Sequence, residues 1–215
     1  GNIESTRSWD LDGDGIIEII PNTPNDSLVV YRLQLDNNKK GAGMFSKHSI
    51  FGPHGHGLGF GDINGDGFTD IIVSKGWLQA PEYTYKGEWK MHHEFDLGTA
   101  SVPIIVADVN KDGLSDLIVG QGHDYGLSWY EQKAVTKNQK TQWTKHAIDP
   151  YNSQYHSMEW TDIDLDGENE LVTGKRYRAH NGKDPGGNDE LGLYYFKWNG
   201  ENFSKQVIDY GPYGR

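Results

Sequence analysis

The sequence contains no cysteine among its 215 residues. This excludes a disulfide framework, a cysteine nucleophile and a thiolate metal site. It also lacks any run of about 18 apolar residues, so no transmembrane helix is predicted. Positive charge is scarce, because 20 Lys and Arg stand against 31 Asp and Glu, for a net charge of -11. That balance argues against nucleic acid and against an anionic membrane surface as partners.

Glycine and aromatic residues are plentiful. The 28 glycines and 12% aromatics accompany a hydrophobic fraction of 35%. Such a composition is typical of a turn-rich β protein with a folded core, and not of a disordered chain. The acidic residues are not spread evenly, because many of them fall in one short motif that recurs along the chain.

The first copy of this motif is WDLDGDGIIEII, at residues 9–20. Asp10, Asp12 and Asp14 occupy positions 1, 3 and 5 of a glycine-containing loop. Glu18 follows at position 9 and begins a β-like apolar run. Carboxylates that converge from a curled loop give the oxygen cage that Ca²⁺ prefers. An EF-hand would place its last acid at position 12, between helices, so we predict a calcium loop on a strand hairpin instead.

The motif occurs four times, with first aspartates about 50 residues apart. Every copy keeps oxygen donors at positions 1, 3, 5 and 9, which makes a chance surface turn a poor explanation. We predict up to four structural Ca²⁺ ions, with these ligands: Asp10, Asp12, Asp14 and Glu18; Asp62, Asn64, Asp66 and Asp70; Asp108, Asn110, Asp112 and Asp116; Asp162, Asp164, Asp166 and Glu170.

A second motif lies between the loops, in which His or Gln follows three residues after an aromatic residue. Its copies are FSKHSI, WKMHHEF, WTKHAID and FSKQVID. His48, His92 and His146 therefore recur at one position and are predicted to be repeat architecture. Together with further β-like runs, each unit is predicted to contain four strands. We expect an all-β protein, a β-propeller with four four-stranded blades at about 3–52, 54–98, 100–150 and 153–210 in one domain, 1–215.

The loops WDLDGDGIIE, FGDINGDGFTDIIV and ADVNKDGLSDLIVG resemble those of the FG-GAP and VCBS repeat family. The resemblance implies calcium-binding propeller blades, as in integrin α heads and in many bacterial secreted proteins, including some polysaccharide lyases. It also implies an extracellular or periplasmic location. Rings of this family usually have seven or eight blades. The chain is therefore a piece of a longer propeller, half of a ring that two chains complete, or a ring of four blades that closes alone, and we favour the first two. A half-ring would expose apolar blade flanks and should associate.

In blades of this family the acid loops lie at one face, and the starts of the first strands meet the ends of the second strands at the opposite face. That opposite face is predicted to be rich in His, Tyr and cationic residues, and we expect function there. The candidates for catalysis are His123, Tyr125, His156 and Arg176. The candidates for ligand binding are His56, Trp77, Gln121, Arg178 and His180. Several of these histidines could also meet as a transition-metal site.

Three functions remain open from the sequence. The first is carbohydrate binding, with aromatic rings stacked on sugars and cations paired with uronate or sulfate groups. The second is β-elimination of a polysaccharide, with His123 or His156 as base, Arg176 or Arg178 neutralising the carboxylate, and Tyr125 as acid. The third is an adhesion or protein-interaction scaffold whose only chemistry is Ca²⁺ binding.

Overall fold

The computed structural model describes residues 3–134 and 141–211. These residues form four antiparallel sheets of four strands, and within each sheet the strands are neighbours in chain order. The prediction of an all-β fold with four four-stranded blades is confirmed.

The strands of blades 1 and 2 are β1 (Ser5–Trp9), β2 (Glu18–Asn22), β3 (Ser27–Leu35), β4 (Gly41–Pro53), β5 (Leu58–Gly61), β6 (Asp70–Val73), β7 (Gly76–Gln79) and β8 (Lys90–His92). Those of blades 3 and 4 are β9 (Ile105–Ala107), β10 (Asp116–Gly120), β11 (Tyr125–Lys133), β12 (Gln142–Ser153), β13 (Tyr155–Thr161), β14 (Glu170–Lys175), β15 (Leu191–Trp198) and β16 (Phe203–Gly211). A 3₁₀ turn, Ala179–Gly182, interrupts the β14–β15 connection. Among the described residues, no helix has the length and apolar character needed to cross a membrane.

The recurrent strand-D histidines pair with the third strand of their own blade. His92 lies opposite Trp77 and stacks on it, with ring centroids 4.2 Å apart. His146 lies opposite Trp129 in the same way, at 4.5 Å. Cross-strand pairs of this kind stabilise a sheet, which gives the repeated aromatic motif a structural role.

Hydrophobic clusters join each blade to the next. Ile20 and Val30 of blade 1 pack with Leu58 and Leu78 of blade 2, and comparable clusters lie between blades 2 and 3 and between blades 3 and 4. The first strands approach most closely, and a side chain at Gly59 would put its Cβ 2.4 Å from the Ile104 carbonyl oxygen. Glycine at this position therefore lets blades 2 and 3 meet backbone to backbone.

Blades 1 and 4 each have one sheet face outside these clusters. On blade 4, Leu171 packs toward blade 3, so the alternation of side chains along β14 turns Val172 to the other side. There Val172 and Leu193 line a cavity of about 610 Å³. On blade 1, Ile3 and Val29 line a groove. On these two faces Ile3 is 62% and Leu193 is 43% exposed, whereas Val29 is buried. The expected association through the flanks stays a prediction.

Candidate functional site at the histidine face, and the acid loops

All four acid loops have one hydrogen-bonding scheme. The position-1 aspartate accepts backbone N–H groups from later in its loop, as Asp10 does from Asp14 and Gly15 at 3.1 and 2.9 Å. The position-5 aspartate accepts the N–H two residues further on, as Asp66 does from Phe68 at 3.0 Å. These bonds fix the curl of each loop within nine residues, so its carboxylates converge whatever the rest of the chain does.

The position-9 acids tie each loop to its blade. Glu18, Asp70, Asp116 and Glu170 are fully buried, and each accepts the N–H of the residue at loop position 2. Burial raises the pKa of Asp70 to about 6 and that of Asp116 to about 6, because a charge is costly away from water. A cation beside these carboxylates would offset that cost.

In two of the loops a cation of the protein itself contacts the acids. Arg32 on β3 pairs with Asp12, Asp14 and Glu18. In blade 4, the Lys197 ammonium lies 2.7 Å from Asp164, 2.6 Å from Asp166 and 3.2 Å from Glu170.

Blades 2 and 3 have Gln79 and Glu131, and not a cation, at the position that Arg32 and Lys197 occupy in blades 1 and 4. The strand registers put Arg32, Gln79, Glu131 and Lys197 directly beside the position-9 acid of their blades. The two loops with a cation there have Asp at position 3 and Glu at position 9, whereas the other two have Asn at position 3 and Asp at position 9. The loops that face a cation thus have one more carboxylate at their ligand positions than the other two. Four carboxylates and one cation leave a charge of about -3, which equals that of the three carboxylates in the other loops.

The donor set of the loops fits a Ca²⁺ ion. Ligand oxygens of Asp10, Asp12 and Glu18 lie within 4.8 Å of one another, and so do those of Asp162, Asp164 and Glu170. One buried oxygen each of Glu18, Asp162 and Glu170 accepts no hydrogen bond among the described residues. The Glu18 and Glu170 oxygens face the cation of their own blade, Arg32 at 3.5 Å and Lys197 at 3.2 Å. Carboxylate oxygens gathered in this way are the ligands that a hard cation takes.

The opposite face brings together histidines that are far apart in the sequence. His56 precedes β5, His123 lies in the β10–β11 loop, and His156 lies near the start of β13. A ring nitrogen from each lies within 4.8 Å of the others. His180 stacks on His123 with centroids 4.8 Å apart. Four of the predicted site residues therefore meet at one point.

Asp184 and Arg176 complete this cluster. The Asp184 carboxylate accepts hydrogen bonds from Nδ1 of His123 at 3.0 Å and from Nδ1 of His180 at 2.9 Å. Arg176 reaches the Gly122 carbonyl oxygen at 3.3 Å and Asp184 at 3.5 Å. The Arg176 side chain is 28% exposed, which leaves room for a further anion beside it.

Two histidines of the cluster, His123 and His156, favour the neutral state. Burial, and then the nearby Arg176 charge, lowers the pKa of His156 to about 4. Burial also lowers the pKa of His123, although Asp184 opposes the effect. At neutral pH both imidazoles therefore keep a lone pair for a proton or a metal ion.

The other predicted residues lie around or away from the cluster. Gln121 holds its own loop by accepting from Thr99 and donating to the Leu97 carbonyl oxygen. Tyr125 is 42% exposed, and its hydroxyl donates to Asp189 at 2.7 Å. Arg178 is exposed on the 3₁₀ turn. Trp77 is only 3% exposed and lies in the core between blades 2 and 3, so it offers a ligand almost no surface.

Sequence reasoning did not single out Asp184 or Glu4. Glu4 lies 2.6 Å from Nε2 of His56, on the other side of the cluster from Asp184. The only sequence signal for Asp184 is its position four residues after His180, in a glycine-rich loop. Glu4 carries no motif at all, because only the curvature of the ring brings blade 1 to this point.

Comparison with known proteins agrees with the geometry of the loops and blades. The model of the FG-GAP-like repeat matches residues 10–73 and 108–173, which is more than half of the chain. The chain belongs to the FG-GAP-like repeat family. As the sequence predicts, each blade has an acid loop of this family in the β-hairpin between its first two strands.

Among solved structures, this FG-GAP-like chain is similar to the V. cholerae biofilm matrix protein Bap1, at 23% sequence identity and a TM-score of 0.36. The match covers 88% of this chain and 26% of Bap1, so the chain spans about a quarter of that protein's length. No curated protein matches the chain.

Proposed function

We propose that this chain is a secreted calcium-binding propeller module, extracellular or periplasmic, whose histidine face binds an anionic carbohydrate. The observation that carries the proposal is the Arg176 side chain, which reaches to 3.2 Å from His123 and remains partly open to solvent. A planar guanidinium recognises a carboxylate or sulfate group through two parallel hydrogen bonds. The exposed ring of Tyr125, held by Asp189, supplies a nearby surface on which a sugar ring can stack.

Calcium has a structural part in this proposal. The acid loops lie at the ends of the strands away from the histidine face, so an ion there would stabilise the hairpins without contacting the ligand. Support comes from the repeated convergence of buried position-9 acids with the other loop oxygens. The exposed flanks of blades 1 and 4 support a further proposal, that missing blades or a second chain complete the ring.

The binding proposal is tested by calorimetric titration with polygalacturonate, with neutral dextran as the comparison ligand. We expect polygalacturonate to bind and dextran not to bind. Arg176→Ala should weaken the binding of polygalacturonate at least tenfold. Lys47→Ala removes an equal charge from exposed β4 of blade 1 and is the matched control. Equal effects of the two variants would contradict a specific site at Arg176.

A second candidate function, polysaccharide β-elimination, is favoured by the pairing of His123 with Asp184. A carboxylate that holds Nδ1–H of an imidazole leaves a lone pair on Nε2 that can act as a base. His123 would take the proton α to the uronate carboxylate, Arg176 would stabilise that carboxylate, and the C–O bond to the leaving sugar would break to form a C=C bond. The leaving oxygen would take its proton from Tyr125 or from water.

Absorbance distinguishes elimination from binding, because the unsaturated uronate product absorbs in the ultraviolet. Elimination predicts a rise with polygalacturonate that His123→Ala abolishes while binding persists. A flat trace with bound polymer supports the binding function. If no anionic polymer binds, the adhesion or protein-interaction scaffold becomes the better account.

A further inference from the structure

The histidine cluster contains an arrangement that neutral imidazoles cannot satisfy among themselves. Nδ1 of His56 lies within hydrogen-bond distance of the Ala100 carbonyl oxygen, and Nδ1 of His123 lies 3.0 Å from the Asp184 carboxylate. A carbonyl and a carboxylate only accept hydrogen bonds, so both Nδ1 atoms carry the proton. For His123 the Asp184 carboxylate at 3.0 Å lies nearer than the Arg176 nitrogen at 3.2 Å and decides the tautomer. In two neutral rings both Nε2 atoms then hold lone pairs, and they face each other at 3.1 Å.

The Glu4 carboxylate, 2.6 Å from Nε2 of His56, is a third group there that only accepts hydrogen bonds. These three acceptors require a positive charge among them, which is either a shared proton or a metal ion. Oxygen or nitrogen partners that fix Nδ1–H are also the usual support of metal-binding histidines, since they orient the ring and make Nε2 a better ligand. The third ring, His156, has its centroid 5.6 Å from that of His56 and 5.8 Å from that of His123. A ring nitrogen of His156 lies within 4.8 Å of one nitrogen from each of the other two rings.

We propose that His56, His123 and His156 together bind one transition-metal ion of the zinc class, with Glu4 as the fourth ligand. Ligand nitrogens around tetrahedral zinc lie about 3.3 Å apart, given Zn–N bonds near 2.0 Å. The observed 3.1 Å between two of them is close to this value. The Glu4 carboxylate, 2.6 Å from Nε2 of His56, is 39% exposed and can move onto the ion.

The surrounding charges permit a cation. Arg176 approaches His123 from the Nδ1 side, at 3.2 Å, and not from the side of Nε2. Its charge is paired with Asp184, which also bonds His180. With Glu4 included, the cluster has two carboxylates against one guanidinium, so a divalent ion meets a net negative site.

The four ligands come from four blades. Glu4 precedes β1, His56 precedes β5, His123 follows β10 and His156 lies in β13. The ion would therefore fasten all four blades at the histidine face, while the acid loops act on each blade separately. The site does not depend on the proposed carbohydrate binding, but an ion on Nε2 would prevent His123 from acting as a base.

Cobalt titration tests the proposal, because Co²⁺ in a tetrahedral nitrogen site gives visible ligand-field bands. The chelator-treated protein is kept in excess Ca²⁺, which prefers oxygen ligands and leaves imidazoles free. We expect bands that saturate at one Co²⁺ per chain and disappear when one equivalent of Zn²⁺ is added. No band and no calorimetric Zn²⁺ binding by the unmodified protein would overturn the proposal and leave a shared proton between His56 and His123.

Variants assign the ligands. His156→Ala should weaken Zn²⁺ binding by more than the roughly 10- to 100-fold loss expected from Asp184→Asn, which acts only through the orientation of His123. His93→Ala, an exposed histidine outside the cluster, is the matched control and should bind normally. Equal losses in His93→Ala and His156→Ala would contradict the assignment. Because Arg176→Ala removes no ligand, it can abolish carbohydrate binding while the cobalt bands remain.

Discussion

Replacing Asp149 with asparagine tests how blade 3 is fastened to blade 4. Asp149 lies in β12 of blade 3 and is only 4% exposed. Its carboxylate accepts hydrogen bonds from the Tyr155 hydroxyl at 2.7 Å and from Lys205 at 2.5 Å, both in blade 4. It also accepts from the Asn152 side chain at 2.8 Å. Asparagine keeps the shape of this group but removes the charge.

The cost follows from the pKa of Asp149. Against the burial that would raise it, the hydrogen bonds from Lys205, Tyr155 and Asn152 lower this pKa from 3.8 to about 2. At about 1.4 kcal/mol for each pKa unit, the charged form contributes roughly 2 kcal/mol to stability at pH 7. Because the folded-state pKa is the lower one, this contribution is complete well above pH 3.8 and is lost as the pH falls through 2.

Urea unfolding at pH 7 measures the effect. We expect Asp149→Asn to lower the unfolding free energy by roughly 2 kcal/mol, and the gap to the unmodified protein to narrow toward pH 3. Asp96→Asn is the control, because its pair with Lys75 is more than half exposed and exposed pairs contribute at most about 1 kcal/mol. In a double-mutant cycle, Lys205→Met should cost less when Asp149 is already asparagine. A loss as small as that of the control, or one independent of pH, would refute the reasoning.

Three further predictions follow from the loops and from the contact between blades. Chelation with EDTA should lower the Tm and added Ca²⁺ should restore it, since a site held at 100 Kd contributes about 2.7 kcal/mol; an unchanged Tm would contradict the structural role of the ions. Lys197→Met should raise the Ca²⁺ affinity of its loop about tenfold by removing a competing charge, whereas Gln79→Met, at the same place in blade 2, should not; calorimetry at low salt decides. Gly59→Ala should destabilise the protein by at least about 2 kcal/mol, because its Cβ would meet the Ile104 carbonyl oxygen, while Gly52→Ala has open space and should be tolerated; thermal unfolding that ranks the two the other way would be evidence against the close approach.

The propeller blades and the acid loops could be predicted from the sequence because their determinants are local. Each loop has its ligands within nine residues, and its hydrogen bonds run between residues of the same segment. The strand pattern of each blade is likewise written in about 50 consecutive residues. The repetition of both signals around the chain then made the fold class a secure prediction.

Residues that act across blades were only partly predictable. The histidines were found as candidates because glycine-rich segments at strand ends mark loops, but their meeting depends on how the blades curve. Trp77 carries the same loop signal, yet it lies in a core because it pairs with His92 across the sheet. The sequence alone does not indicate which side chains at the end of a strand are buried against the neighbouring blade.

The sequence by itself determined the all-β architecture and where the acid loops fall along the chain, since both depend on spacing within short segments. Only the tertiary structure decided that Arg32 and Lys197 face two of the loops, and that Glu4 and Asp184 lie on either side of the histidines. Those contacts join residues from different strands or different blades. Their distances are set by sheet register and by the packing of one blade on the next, which no short stretch of sequence encodes.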